Sequence, residues 1–112
     1  MRTPEITEQT KTDTDLNLEL FVSNDVEFFK GHFPDFQLLP GVVQVHWAVS
    51  YAEENFGPLG EFSKIEALKF TKPIRPESKI KLEIKRNTEK GNITFKYTDE
   101  ESTYSSGRVY FT

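Results

Sequence analysis

Along residues 16–22 the side chains alternate. Leu16, Leu18, Leu20 and Val22 are separated by Asn17, Glu19 and Phe21, a period of two that marks a strand. The period then disappears across F-F-K-G-H-F-P-D-F-Q-L-L-P-G, residues 28–41, where Pro34 and Pro40 exclude regular structure. From Val42 apolar residues return at three- and four-residue spacing: Val42, Val45, Val49, Ala52 and Phe56 form a helix stripe, and Gly57-Pro58 stops it. A second wedge, Val43, Trp47 and Tyr51, leaves this helix apolar on two sides, as expected if a sheet wraps one side and a partner presses on another. Four strand-like runs follow: Phe62–Phe70, the alternation around Ile80, Leu82 and Ile84, that around Ile93, Phe95 and Tyr97, and Thr103–Phe111. Turns are expected at residues 89–92 and 99–101. Strand, helix, then four strands is an α+β order: an antiparallel sheet with one long helix on its concave face.

The first 15 residues hold five threonines and almost no large apolar side chain, so they are expected to be a flexible arm. Residues 16–112 are then one domain, as a length of 112 requires. The chain has no cysteine and two histidines, which removes disulfides, thiolate nucleophiles and cysteine-based metal sites. No apolar run is long enough to span a bilayer and the N-terminus carries no signal-like core, so a cytoplasmic setting without membrane contact is expected. Net charge is −4, which disfavours nucleic acid as a partner. Charge is uneven, however: residues 64–86 carry eight bases against three acids.

Two features of the central loop have chemical readings. His32 lies between Gly31, which permits close backbone approach, and a stiff Phe33-Pro34 pair, so it is either a positioned base or an ordinary loop or core histidine. Pro40-Gly41-Val42 opens the helix. The first N–H groups of a helix lack intrahelical partners and carry the positive end of its dipole, so Gly41 marks either an oxyanion site or a plain helix start.

Together, G-H-F-P, a short spacer and L-P-G-V before an apolar helix resemble the signature of the hotdog-fold 3-hydroxyacyl-carrier-protein dehydratases. K-I-E-A-L-K-F-T-K-P-I-R-P-E-S-K-I-K-L-E-I, residues 64–84, resembles their following strand pair, and the likeness extends over about residues 16–112. The lack of an extra N-terminal segment is closer to the short stand-alone dehydratases of aryl-polyene and related lipid clusters.

The resemblance implies a homodimer with a continuous sheet. It also implies an acyl chain on the phosphopantetheine of an acyl carrier protein, lying in a tunnel at the dimer interface, and no metal or redox cofactor. It makes His32 the base that removes the α-proton and the Gly41 N–H the donor to the thioester carbonyl, with Phe33, Pro40 and Val42 against the substrate. The family places a carboxylate five residues after the glycine, supplied by the other subunit to handle the leaving hydroxyl. Here that position is His46. Three readings follow: an imidazolium acid, an inactive hotdog that only binds acyl carriers, or different chemistry such as thioester hydrolysis. Asp35 is a substitute acid or an exposed turn residue. Lys69, Lys72 and Arg75 either form a solvated face or dock the acidic carrier.

Overall fold

The computed structural model describes residues 4–23 and 39–112. Its elements are β1 (Glu5–Lys11), β2 (Asp15–Val22), α1 (Gly41–Phe56), β3 (Phe62–Phe70), β4 (Ser78–Asn87), β5 (Asn92–Thr98) and β6 (Thr103–Phe111). All strands pair antiparallel in one sheet of order β1-β2-β4-β5-β6-β3, so β1 and β3 are its edges.

The alternation sets which face is buried. Leu16, Leu18 and Leu20 of β2, Ile80, Leu82 and Ile84 of β4, and Ile93, Phe95 and Tyr97 of β5 all turn inward. Their registers align these rows: Leu18 lies opposite Leu82, and Leu82 opposite Tyr97. The helix lies on this apolar face.

It presents the stripe that the sequence ranks second. Val43, Gln44, Trp47, Ala48, Tyr51 and Ala52 are buried, whereas Val42 is 77% exposed and Val45 and Val49 are half-buried. The physical reason is area. Trp47 and Tyr51 remove far more apolar surface from water than valines do, so they take the sheet side and turn Val42 outward. The helix ends as expected. Gly57 has φ 87°, and its N–H donates to the Glu53 carbonyl at 3.0 Å. Arg86 of β4 then donates to the Phe56 carbonyl at 3.1 Å, placing a cation at the negative end of the dipole.

The expected arm over residues 1–15 is corrected by β1, which pairs with β2 from Glu5↔Phe21 to Lys11↔Leu16. Every residue of β1 is exposed, so neither face carries an apolar row. Backbone pairing to β2 and a hydrogen bond from Gln9 Nε2 to Asn55 Oδ1, 2.8 Å, hold it without one.

Candidate active site

Leu39, Pro40 and Gly41 bring the chain into the helix. The Leu39 N–H donates to the Ile74 carbonyl at 2.8 Å, which ties this lead-in to the segment between β3 and β4. Pro40 is the N-cap, with φ −57° and ψ 145°, and has no side-chain group to offer as a cap. Its carbonyl accepts from the N–H of Val43 (3.1 Å) and Gln44 (3.2 Å). The N–H groups of Gly41 and Val42 therefore have no intrahelical acceptor, and no acid stands in the first turn to compete for them. A Cβ at Gly41 would lie 2.6 Å from Cζ of Phe70, so glycine lets the last ring of β3 sit directly on the helix start. Chemically, this is a donor site for a carbonyl oxygen or an oxyanion, walled on one side by an aromatic ring.

Beneath it lies a buried polar cluster that sequence reasoning misses. Gln44 is 3% exposed. Its Nε2 donates to the Leu39 carbonyl at 3.1 Å, and its Oε1 accepts from Oγ of Ser105 at 2.6 Å. The hydroxyl of Tyr97 donates to the Gln44 carbonyl at 2.6 Å. Burial pushes the Tyr97 phenol well above its usual value, so it remains a neutral donor. The available signal is one glutamine inside the run G-V-V-Q-V, next to Val43 on the buried side.

The other expected residues are distributed as follows. His32, Phe33 and Asp35 lie outside the described residues. Pro40, Gly41 and Val42 are consecutive at the helix start. His46 is exposed and lines a cleft with Pro4, Ile6, Ser50 and Glu54. Five residues past Gly41, it is turned about 140° around the helix axis and raised roughly 7.5 Å. It therefore does not share the azimuth of Gly41 in its own chain. Among the described residues no group of three metal-ligating side chains comes together.

Lys69, Lys72 and Arg75 are exposed. Nζ of Lys72 lies 3.3 Å from Oγ of Ser102, 3.9 Å from Oδ2 of Asp99 and 5.3 Å from the centre of the Tyr104 ring. Asp99 accepts from the Tyr104 hydroxyl at 2.7 Å and from the N–H groups of Glu101 and Ser102. These bonds hold its carboxyl well below the usual carboxylate range. Burial first, and then the bond to Asp99, push the Tyr104 phenol up to about 12. The N–H groups of Thr71 and Lys72 also bond the Tyr104 carbonyl. Lys72 is thus part of a brace between the β5–β6 turn and the β3–β4 segment. Arg75 follows Ile74, whose carbonyl holds Leu39, and so stands beside the helix start.

Residues 8–108 match the model of the ApeI-like family, described as ApeI dehydratase. The chain belongs to the ApeI-like family. Over 97% of its length it superposes on a chain of the dehydratase heterocomplex ApeI:P from Xenorhabdus doucetiae, with a TM-score of 0.90 and 32% identity, covering 97% of that chain. An uncharacterized protein from Erwinia carotovora subsp. atroseptica is also similar, at 32% identity and a TM-score of 0.82, over 99% of this chain and 97% of the other. Among curated proteins, the 3-hydroxyacyl-[acyl-carrier-protein] dehydratase FabZ of Bacillus thuringiensis (strain Al Hakam) is 39% identical over 79 residues, 64% of this chain and 55% of the relative. The chain spans about half the length of the curated relatives it matches. The ApeI-like sheet and helix described above are a hotdog fold, as the sequence motifs lead one to expect.

Proposed function

We propose that the protein dehydrates a 3-hydroxyacyl thioester on an acyl carrier protein to the trans-2-enoyl thioester and water. The observation that carries this reading is the helix start of an ApeI-like chain, opening on Gly41 with its N–H free of any intrahelical acceptor. That N–H takes the thioester carbonyl and stabilises the charge that builds on its oxygen when the α-proton leaves. His32, neutral, accepts that proton. The C–H electron pair forms the new double bond as the β C–O bond breaks, and the departing hydroxyl takes a proton from His46 of the partner subunit. One proton is taken and one given, and no oxidation state changes overall, so the elimination needs neither metal nor redox cofactor.

Phe33, Pro40 and Val42 line the substrate, and Lys69, Lys72 and Arg75 meet the acidic carrier. The setting is the cytoplasm, in fatty-acid, aryl-polyene or related lipid synthesis. Two copies join through their β3 edges into one continuous sheet, bringing His46 of one to His32 of the other. The support is the location of exposed apolar side chains: Phe62, Leu68 and Phe70 on β3, and Val42 on the helix. The similar Xenorhabdus structure is a heterocomplex, so a second, different chain is the competing partner.

The test is a single-turnover reaction with a 3-hydroxyacyl carrier, read by mass spectrometry. Loss of one water from the acyl group is the expected result. Release of free acid would make the protein a thioesterase. An unchanged acyl carrier that still binds would make it a carrier-binding module.

A further inference from the structure

We propose that Gln44, locked by Ser105, is a positioning residue that aims the Gly41 N–H. This rests on the reading of Gly41 as the carbonyl donor. Gln44 itself does not contact substrate. It is 3% exposed, with both ends of its amide committed to protein.

The geometry leaves the Gly41 N–H little freedom. Its direction is set by the Pro40–Gly41 peptide, and hence by the two dihedrals of Pro40. The ring fixes φ. The Pro40 carbonyl, in the same peptide plane as the Gly41 N–H, is held by the N–H groups of Val43 and Gln44 at 3.1 and 3.2 Å. What remains is the orientation of the preceding peptide, and this is clamped at Leu39. Its N–H is bonded to the Ile74 carbonyl at 2.8 Å, and its carbonyl to Nε2 of Gln44 at 3.1 Å. A carbonyl at this position lies before the helix and has no intrahelical donor, so Gln44 supplies one.

The Leu39 carbonyl fixes which end of the Gln44 amide faces it, and Ser105 holds the other end. A carbonyl needs a donor, so the nitrogen must turn to Leu39, leaving the oxygen to accept from the Ser105 hydroxyl at 2.6 Å. The Tyr97 hydroxyl anchors the Gln44 backbone at 2.6 Å. The lead-in is thereby referenced to β5 and β6, inner strands of the sheet, of which β6 pairs with β3. An apolar side chain would fill the same buried space without the cost of desolvating an amide. A donor on a short lead-in must be held to within a fraction of an ångström, because a shift of about 1 Å at a reacting group can cost roughly 10²-fold in rate.

The experiment compares the parent with Gln44→Met, which keeps the length and loses both side-chain bonds, and with Ser105→Ala, which frees the amide but keeps its bond to Leu39. Each is assayed in steady state with a 3-hydroxyacyl carrier. Each is also labelled with nitrogen-15 to read the amide resonances of Gly41 and of Ala52, far along the helix. For Gln44→Met we expect kcat to fall about 10- to 100-fold with KM within about twofold, since a donor lost in the transition state lowers kcat rather than binding. The Gly41 resonance should move while that of Ala52 stays. Ser105→Ala should move both quantities the same way by less. An unchanged Gly41 resonance with unchanged kcat in a folded Gln44→Met protein would overturn the proposal, as would equal displacement of Gly41 and Ala52. If Gln44→Met does not fold, the same two readouts on Ser105→Ala decide the question. If the parent itself turns nothing over, the proposed activity fails, whereas the resonances still decide whether Gln44 sets Gly41.

Discussion

The two edges of the sheet are built on opposite principles. β1 reads E-I-T-E-Q-T-K and is polar along both faces, and its one large apolar side chain, Ile6, lines the cleft beside the helix. A charged, irregular edge of this kind discourages a further strand from adding, and β1 also carries a register shift between Ile6 and Glu8. β3 has Phe62, Leu68 and Phe70 between 41% and 55% exposed. Its register shifts twice, between Phe62 and Lys64 and between Glu66 and Lys69, and in the second Ala67 takes φ 54°, a left-handed value rare outside glycine. The bulge at Ala67 re-aims Leu68 and Phe70. Leu68 comes against Gly107, and Phe70 against Gly41. One edge is closed to strangers, and the other offers apolar side chains along its length, ending in Phe70 at the helix start. The lesson is that an edge strand's exposed side chains have to be read with what they adjoin, and on β3 the last of them, Phe70, adjoins the donor site.

The sharpest way to break this contrast is to charge each edge in turn. Phe62→Lys with Leu68→Lys should convert the proposed dimer to monomer by light scattering. It should also lower turnover at least about 10²-fold, because the second subunit's acid is lost with the partner. Thr10→Lys on β1, an exposed position away from the His46 cleft, should leave both unchanged. Dissociation by Thr10→Lys, or full turnover by monomers, would erase the distinction.

A smaller effect should come from charge reversal. Arg75→Glu, beside the helix start, should slow a carrier-bound substrate about tenfold at low salt, spare a pantetheine mimic, and lose the gap as salt rises. Lys11→Glu on β1 should do neither. Equal slowing of carrier and mimic would count against docking at Arg75.

The smallest effect separates the edges by pH. On β1 the hydrogen bond that Glu8 shares with Glu19, and then their like charge, raise the Glu8 carboxyl. A raised acid destabilises the fold while ionised and is relieved as pH falls through its folded value. On the β3 side Asp99 is depressed, so its stabilising contribution is full above the ordinary carboxylate range of about 4. It is lost as pH falls towards the lower folded value. Glu8→Gln should therefore raise Tm slightly at pH 7, and Asp99→Asn should lower it. Both differences should shrink in melts near pH 3. Two variants moving in the same direction at pH 7 would contradict the assignment.

Much of the fold is legible in the sequence because its elements are periodic and bounded by turn residues. The stripes of β2, β4 and β5, the run Phe62–Phe70 and the stop at Gly57 all have local physical causes. β1 is illegible because backbone pairing and a few polar side-chain bonds place it, and no apolar alternation announces that. The facing of the helix escapes a count of apolar positions, which favours Val42, Val45 and Val49, whereas burial follows the size of Trp47 and Tyr51. At the site, Pro40-Gly41 can be read as a helix start from its motif. Gln44 cannot be assigned from sequence, since its partners Ser105 and Tyr97 are more than 50 residues away along the chain. The His32 reading rests on its motif and lies outside the described residues.

The central claim is a dehydration site shared between two copies across the β3 edge. The most direct measurement mixes His32→Ala and His46→Ala proteins, each expected to be nearly inactive alone, allows subunits to exchange, and assays water loss from a 3-hydroxyacyl carrier. A mixed dimer would hold one intact site, with His32 from one copy and His46 from the other. Activity should therefore reappear, approaching roughly a quarter of the parent's after statistical exchange. Mixed dimers seen by native mass spectrometry without any recovered activity would contradict the account.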